Sequence, residues 1–215
     1  LSENLGINPE VFFDALREIK IFSFYGMSSV IEFLYDVGAY VCELGYQNTR
    51  LKKLLPEAPP VLDRVHRFYI ERLLNALLEV SYNFTDADRG SIMLLDRETN
   101  ELYIKVAKGL KRDVVEQTRL KAGESLAGVV MQEGKPLFID GNTKDEKILA
   151  HLNNPQLRYS ILIPIKGRDA IVGVLNVGTC RDDSDKFTTS SVETIDKLAE
   201  LVETVLTNLS HVDVQ

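Results

Sequence analysis

Two stretches predicted as long helices, residues 61–84 and 190–209, are each apolar on two sides, and between them the apolar period changes from that of a helix to two. In the first stretch His66, Ile70, Leu73, Leu77, Val80 and Phe84 alternate spacings of four and three. Leu62, Val65, Tyr69, Leu74 and Leu78 form a second stripe beside them. In the last stretch Val192, Ile195, Ala199, Val202, Leu206 and Leu209 keep the same rhythm next to Leu198, Leu201 and Val205, and Ser190 with Glu193 reads as a capping box. A helix apolar on two sides must be covered on two sides. In the interval, "SIMLLD" (91–96) and "ELYIKVA" (101–107) flank "RETN" as a hairpin would. "PLFID", "YSILIPI" and "AIVGVLNVG" read as further strands, the last two joined by the turn "KGRD". "SLAGVVMQE" reads as a short helix closed by Gly134, and residues 143–152 as a polar-faced one. The pattern predicts an α+β fold: a mostly antiparallel sheet of five to six strands enclosed by a first and a last helix.

An all-helical segment is predicted ahead of this unit. Asn8-Pro9 reads as a helix start followed by Phe12, Leu16 and Ile19 on one face. Ser28 or Ser29 opens a second helix through Val30, Leu34, Val37, Val41 and Leu44, which Gly45 is expected to end. A third carries Leu51, Leu54 and Leu55 before "PEAPP" (56–60), a stiff breaker. The expected organisation is a helical segment over 1–55, a proline-rich linker and helix start over 56–65, and a domain over 66–212. A first residue Leu1 in place of Met suggests a piece of something longer.

Charge and glycine spacing narrow the function. A formal net charge of −7 over 215 residues argues against a nucleic-acid reader, which normally presents a basic face. No apolar run approaches the roughly 20 residues that cross a bilayer, and with no signal peptide in view a cytoplasmic location is expected. Two cysteines, Cys42 and Cys180, cannot build a disulfide framework or a metal site by themselves and read as free thiols. Gly123 and Gly128 have the spacing of a phosphate-cradling loop, but Val129 and Val130 stand where that loop needs lysine and a hydroxyl. A nucleoside triphosphate site is excluded on that chemistry, and the glycines call for a structural explanation.

The series "GSIMLLDRETNELYI" (90–104), Gly109, "LKAGESLAGVVMQEGKPLFIDG" (120–141), "RYSILIPIKGRDAIVGVLNV" (158–177) and "KFTTSSVETIDKLAELV" (186–202) resembles the GAF domain, the small-molecule-sensing module of many signalling proteins. The order of its motifs over residues 66–210 carries the resemblance. It implies a GAF-like, PAS-related sheet with flanking helices, and a ligand held between one sheet face and the helix and loops over it. On that likeness Gly123 and Gly128 let the backbone turn tightly and pack closely beside the ligand cavity. Candidate ligand contacts by position are Ser91, Leu126, Ala127, Phe138, Asp140, Tyr159 and Asn176. For several a plainer role stays open: Ser91 as a small residue at a crowded strand start, Phe138 and Tyr159 as core aromatics, Asp140 as the cap of a turn.

The likeness names no cofactor. Cyclic-nucleotide-binding relatives carry an Asn-Lys…Phe-x-x-x-Asp-Glu signature, whereas here Val177 follows Asn176 and "TTSSVE" follows Phe187, so cyclic AMP or GMP stays open with an incomplete signature. A covalent bilin needs a cysteine by the cavity helix, which neither Cys42 nor Cys180 supplies, and a haem would have His151 alone for a ligand, so neither is favoured. The expected function is a non-enzymatic, ligand-sensing regulatory domain of a multidomain signal-transduction protein, relaying occupancy through dimeric, coiled-coil-like end helices to an output domain outside this chain. Two alternatives are a ligand-free dimerisation scaffold and, less favoured, a reductase of free methionine sulfoxide, which would need an activated thiolate at the cavity. The double stripes predict a homodimer through the end helices, which light scattering at micromolar concentration should show; a monomer there contradicts it.

Overall fold

The computed structural model describes residues 24–54, 59–141, 143–151, 156–167, 170–182 and 185–208. Two long helices come first, α1 (Phe24–Leu54) and α2 (Pro59–Thr85). The hairpin β1 (Arg89–Asp96) and β2 (Glu101–Lys108) follows, then α3 (Arg112–Gln117), β3 (Arg119–Lys121), α4 (Leu126–Glu133), β4 (Leu137–Ile139) and α5 (Glu146–Ala150). The long strands β5 (Tyr159–Lys166) and β6 (Ile171–Thr179) lead into the last helix, α6 (Thr189–Asn208). The six strands form one sheet in the order β3-β2-β1-β6-β5-β4, every neighbouring pair antiparallel. The hairpin turn falls on "RETN", where the Asp96 carboxylate accepts the N–H groups of Glu98 and Thr99. The short elements α3 and β3 have too few residues to show a period, and sequence patterning gave no sign of them.

Alternation along the strands separates two cores. Ile92, Leu94, Val106, Ile161, Ile163, Ile165, Leu175 and Val177 face the helices, where they meet Leu73, Leu74, Leu77 and Leu78 of α2 and Ile195, Ala199, Val202 and Leu206 of α6. Met93, Leu102, Leu162 and Val174 point the other way, against Leu126, Ala127 and Val130 of α4. The N-cap of α6 is Thr188, whose hydroxyl accepts the Ser191 N–H, two residues before the predicted cap Ser190. The Glu203 carboxylate accepts the Lys166 N–H at 2.8 Å and ties α6 to the end of β5.

The helical segment departs from expectation. Residues 24–54 form one helix that runs straight through Gly45, where an end was predicted. A glycine inside a helix costs only about 1 kcal/mol relative to alanine, and α1 is held by packing: Val30, Phe33, Val37 and Tyr40 lie against the α2 side of the core. Tyr40 and Tyr69 stack with ring centroids 4.8 Å apart, and Asp36 pairs with Arg72 at 2.8 Å. The second stripe of α2 is therefore covered within the chain, at least through Tyr69, Leu74 and Leu78, and no longer requires another copy to bury it. Uncovered apolar surface lies instead on the outer face of α1, at Ile31, Leu34, Tyr35 and Val41, with Leu201 exposed on α6. The helix predicted from Asn8 and the first part of the proline-rich breaker, 56–58, lie outside the described residues, whereas Pro59 and Pro60, read as its end, open α2, where a proline's missing N–H costs nothing. Among the described residues no helix is long and apolar enough to cross a membrane, and no cluster of His, Cys, Asp or Glu is placed to hold a metal ion.

One buried polar atom is unpaired. The Tyr40 hydroxyl has no hydrogen-bond partner among the described residues, and burial pushes its ionisation well above the ordinary phenol range. An unsatisfied buried hydroxyl costs about 1–3 kcal/mol, whereas its ring gains from packing on Tyr69. Tyr40→Phe should therefore stabilise the fold, raising Tm by a few degrees in thermal denaturation; a fall in Tm would mean that the hydroxyl has a partner.

Candidate functional site

Because successive strand side chains point to opposite faces, Arg89, Ser91 and Met93 of β1 all fall on the face away from α2 and α6. The antiparallel register with β6 sets Ser91 opposite Asn176 and Arg89 opposite Gly178. Over this end of the sheet lies α4, which starts at a cap: the Ser125 hydroxyl accepts the Gly128 N–H at 3.1 Å. The helix sits close to the loop before it because residue 128 has no side chain. A Cβ on Gly128 would stand 2.6 Å from the Lys121 carbonyl oxygen and 2.7 Å from the Gly123 nitrogen, well inside contact distance. Gly123 itself adopts φ +83°, a left-handed conformation that side chains disfavour. The two glycines thus form a tight turn and a close packing site, the role the phosphate-loop spacing left unexplained.

Sheet, α4 and the loop before β5 enclose a cavity of about 170 Å³. Ser91, Leu126, Ala127 and Asn176 line it, four of the seven residues singled out from the sequence. The other three do not. Phe138 and Tyr159 fall on the opposite sheet face and pack with the helix-side core, Tyr159 against Phe187 at 5.9 Å between ring centroids. Their strands set this: Leu137 and Ile139 take the cavity side of β4, and Ser160 and Leu162 that of β5. Asp140 closes a turn with Thr143, accepting its hydroxyl at 2.9 Å and its N–H at 3.1 Å. Arg89, Met93, Leu120, Ser125, His151 and Leu157 complete much of the wall. Of these the sequence marked His151, and Ser125 at the start of the short helix, as lying near the cavity. Arg89 was open to detection, since it lies two residues before Ser91 and so shares its face.

Among the described residues, the cavity's polar lining is donor-rich and contains no carboxylate. The Ser91 hydroxyl, on a residue only 5% exposed, has no hydrogen-bond partner among the described residues. Asn176 Oδ1 accepts from the Ser160 hydroxyl at 2.8 Å, which orients its amide. A larger cleft of about 480 Å³ runs between α1, α2 and β2, but much of its charge is already paired, Arg72 with Asp36 and Lys108 with Glu79. Cys42 is exposed on α1 and Cys180 lies just past β6; neither lines the cavity.

Beside the cavity, Asp88 joins the end of α2 to the end of β6. One carboxylate oxygen accepts the Thr179 hydroxyl and the Cys180 N–H, both at 2.9 Å, and the other accepts Arg89 Nε at 3.0 Å. Its N–H donates to the Gly178 carbonyl, and Arg181 bonds to both the carboxylate and the carbonyl of Asp86. Partial burial disfavours the Asp88 charge, but the Cys180 N–H, Arg89 and Thr179 outweigh it and hold the carboxyl below its usual range. A carboxyl lowered in the folded state adds stability that is fully present above its unfolded value of about 3.9 and is lost as pH falls through the folded value. Asp88→Asn should therefore be less stable than the wild type at pH 7, and the gap should close below about pH 4 in urea titrations. A gap of constant size across that range would contradict the assignment.

Comparison with known proteins agrees with this architecture. The GAF domain family profile matches residues 70–206. A Nif-specific regulatory protein of Enterobacter agglomerans is 28% identical over 102 residues, which is 46% of this chain and 20% of that protein, so the chain spans only a fraction of that relative's length. The GAF domain of an Acinetobacter phosphoenolpyruvate-protein phosphotransferase superposes with a TM-score of 0.57 at 21% identity, covering 68% of this chain and 87% of that one. A type II free methionine-R-sulfoxide reductase from Thermoplasma acidophilum superposes with a TM-score of 0.52 at 15% identity, covering 66% and 95%. At such identities the superpositions speak to fold alone, which the GAF domain of a phosphotransferase and a reductase share. With its family profile spanning most of the sheet and both flanking helices, the chain belongs to the GAF domain family.

Proposed function

We propose that this chain is the small-molecule-sensing part of a longer cytoplasmic signalling protein and regulates an output domain outside it. The observation that carries the reading is the Ser91 hydroxyl, which lies on the wall of a cavity under α4 with no protein partner among the described residues. A ligand in the cavity would give this hydroxyl a partner in place of solvent. The volume, well under the roughly 300–1,000 Å³ of sites for drug-sized molecules, suits a compact metabolite. Regulation by such a domain is supported by the regulatory relative, of which this chain matches one part. That neither cysteine lines the cavity supports binding rather than thiol chemistry on a ligand.

The relay runs through the helices attached to the sheet: α2 enters β1 through the Asp88 junction, and Glu203 fastens α6 to β5. Homodimerisation belongs to the same reading. Its contact surface moves to the outer face of α1, where Ile31, Leu34, Tyr35 and Val41 are exposed, since the second stripe of α2 is covered. That face also favours the second reading, a dimerisation scaffold whose cavity binds nothing.

A metabolite screen by thermal shift separates the two. A ligand at 100 times its Kd stabilises the folded state by about 2.7 kcal/mol, a rise of roughly 5–10 °C for a chain of this size. Ala127→Phe should fill the cavity and abolish the rise while the free protein stays folded. A mutant that still responds to the wild-type ligand would locate binding elsewhere, and a screen with no hit would favour the scaffold.

A further inference from the structure

We infer that the cavity reads a small carboxylate through Arg89, with Asp88 as the positioning residue that also carries occupancy to the junction of α2 and β6. The inference rests on the sensing role proposed above and adds the class of ligand and the residue that selects it. The sign of the charge comes first. Among the described lining residues Arg89 is the one permanent cation and none is an acid, so a buried anion finds a counter-charge and a buried cation does not. The surrounding groups are also donors: the Ser91 hydroxyl, unpaired among the described residues, sits two residues along the same strand face, and Ser125, Leu126 and Ala127 at the N-terminus of α4, the positive end of its dipole, line the cavity.

Geometry narrows anion to carboxylate. Arg89 Nε is committed to Asp88, while its two terminal nitrogens have no acceptor among the described residues. With one edge of the guanidinium pinned, the remaining planar fork takes two oxygens of one anion; phosphate can also bind such a fork, but only a carboxylate is itself flat and coplanar with it. Since the Asp88 carboxylate that pins Arg89 also holds Thr179 and Cys180, a ligand that fixes the guanidinium fixes the link between the end of α2 and the end of β6.

The test uses the full chain with pyruvate and succinate, their neutral counterparts pyruvamide and succinamide, and inorganic phosphate, each at about 10 mM and low salt. Binding is followed by thermal shift and calorimetry. The expected result is that at least one carboxylate raises Tm, its amide does not, and Arg89→Gln, folded by circular dichroism, weakens that carboxylate at least tenfold. Arg89→Lys should retain part of the affinity through its point charge. Asp88→Asn should weaken the carboxylate severalfold in the Arg89 protein and add nothing to Arg89→Gln, a non-additivity that a general loss of stability would not produce. The inference is overturned if neither carboxylate shifts the wild type, if the amides bind as well as the acids, if phosphate binds tighter than both carboxylates, or if Arg89→Gln keeps its affinity within twofold. Simple additivity of the two substitutions overturns the positioning role of Asp88. Amides that shift the wild type but not Ala127→Phe would remove the carboxylate while leaving the sensing cavity standing; a carboxylate shift that persists in Ala127→Phe would remove both.

Discussion

Everything in this domain hangs on a sheet buried on both faces, and in particular on the pairing of β1 with β6 at its centre. Once Ser91 is set opposite Asn176, the alternation of side chains leaves no freedom: Ile92 and Leu94 must enter the core under α2 and α6, while Arg89, Ser91 and Met93 must face α4. A slip of one residue would exchange the two sets and put a guanidinium into the helix-side core, at a cost no surrounding group offsets. Register specificity and the chemistry of the cavity are thus the same constraint. The helix side is filled with Leu, Ile and Val, whereas the α4 side is filled only in part and leaves a small, mostly apolar space with a few polar groups at one end.

Closure on the α4 side depends on backbone more than on side chains. The approach of Gly128 to Lys121 and Gly123 lets the helix lie low over the loop, and Ser125 caps it so that its first N–H groups are not all left to the cavity. On the opposite flank, the Asp88 contacts and the Arg181 bonds to Asp86 fasten the chain at the point where helix becomes strand. The cavity is therefore bounded by two rigid junctions, each built from backbone groups that a short polar or missing side chain brings into range.

How much was legible beforehand follows from the physics of each element. The long strands, α2, α4 and α6 carry unbroken periods, and their type and order were readable from Leu73, Leu77, Ile161, Ile163, Leu175 and their neighbours. The elements that escaped, α3 and β3, are too short to repeat anything. Gly45 misled because a glycine's local preference is weak against the packing of Phe33 and Tyr40, which nothing in a one-dimensional pattern reveals. At the cavity, residues assigned by family position on the central strand, on α4 and on β6 fell on the wall. Phe138 and Tyr159 fell on the other face because parity within β4 and β5 decides orientation, and the positional likeness was applied without counting it. Arg89 is the converse case: parity from Ser91 pointed to it, but a charged residue at a strand start reads as solvent-facing until its partner Asp88 is seen.

The continuity of α1 has a mechanical meaning. Its described side-chain contacts with α2 lie between Ser29 and Tyr40, and from there the helix continues to Leu54 without a break. Those last 14 residues extend about 21 Å at the helical rise of about 1.5 Å per residue. Since α2 begins at Pro59, five residues after Leu54, the two helices would swing as one hairpin, and a tilt of about 5° at the sheet would carry its far end sideways by roughly 2 Å over that length.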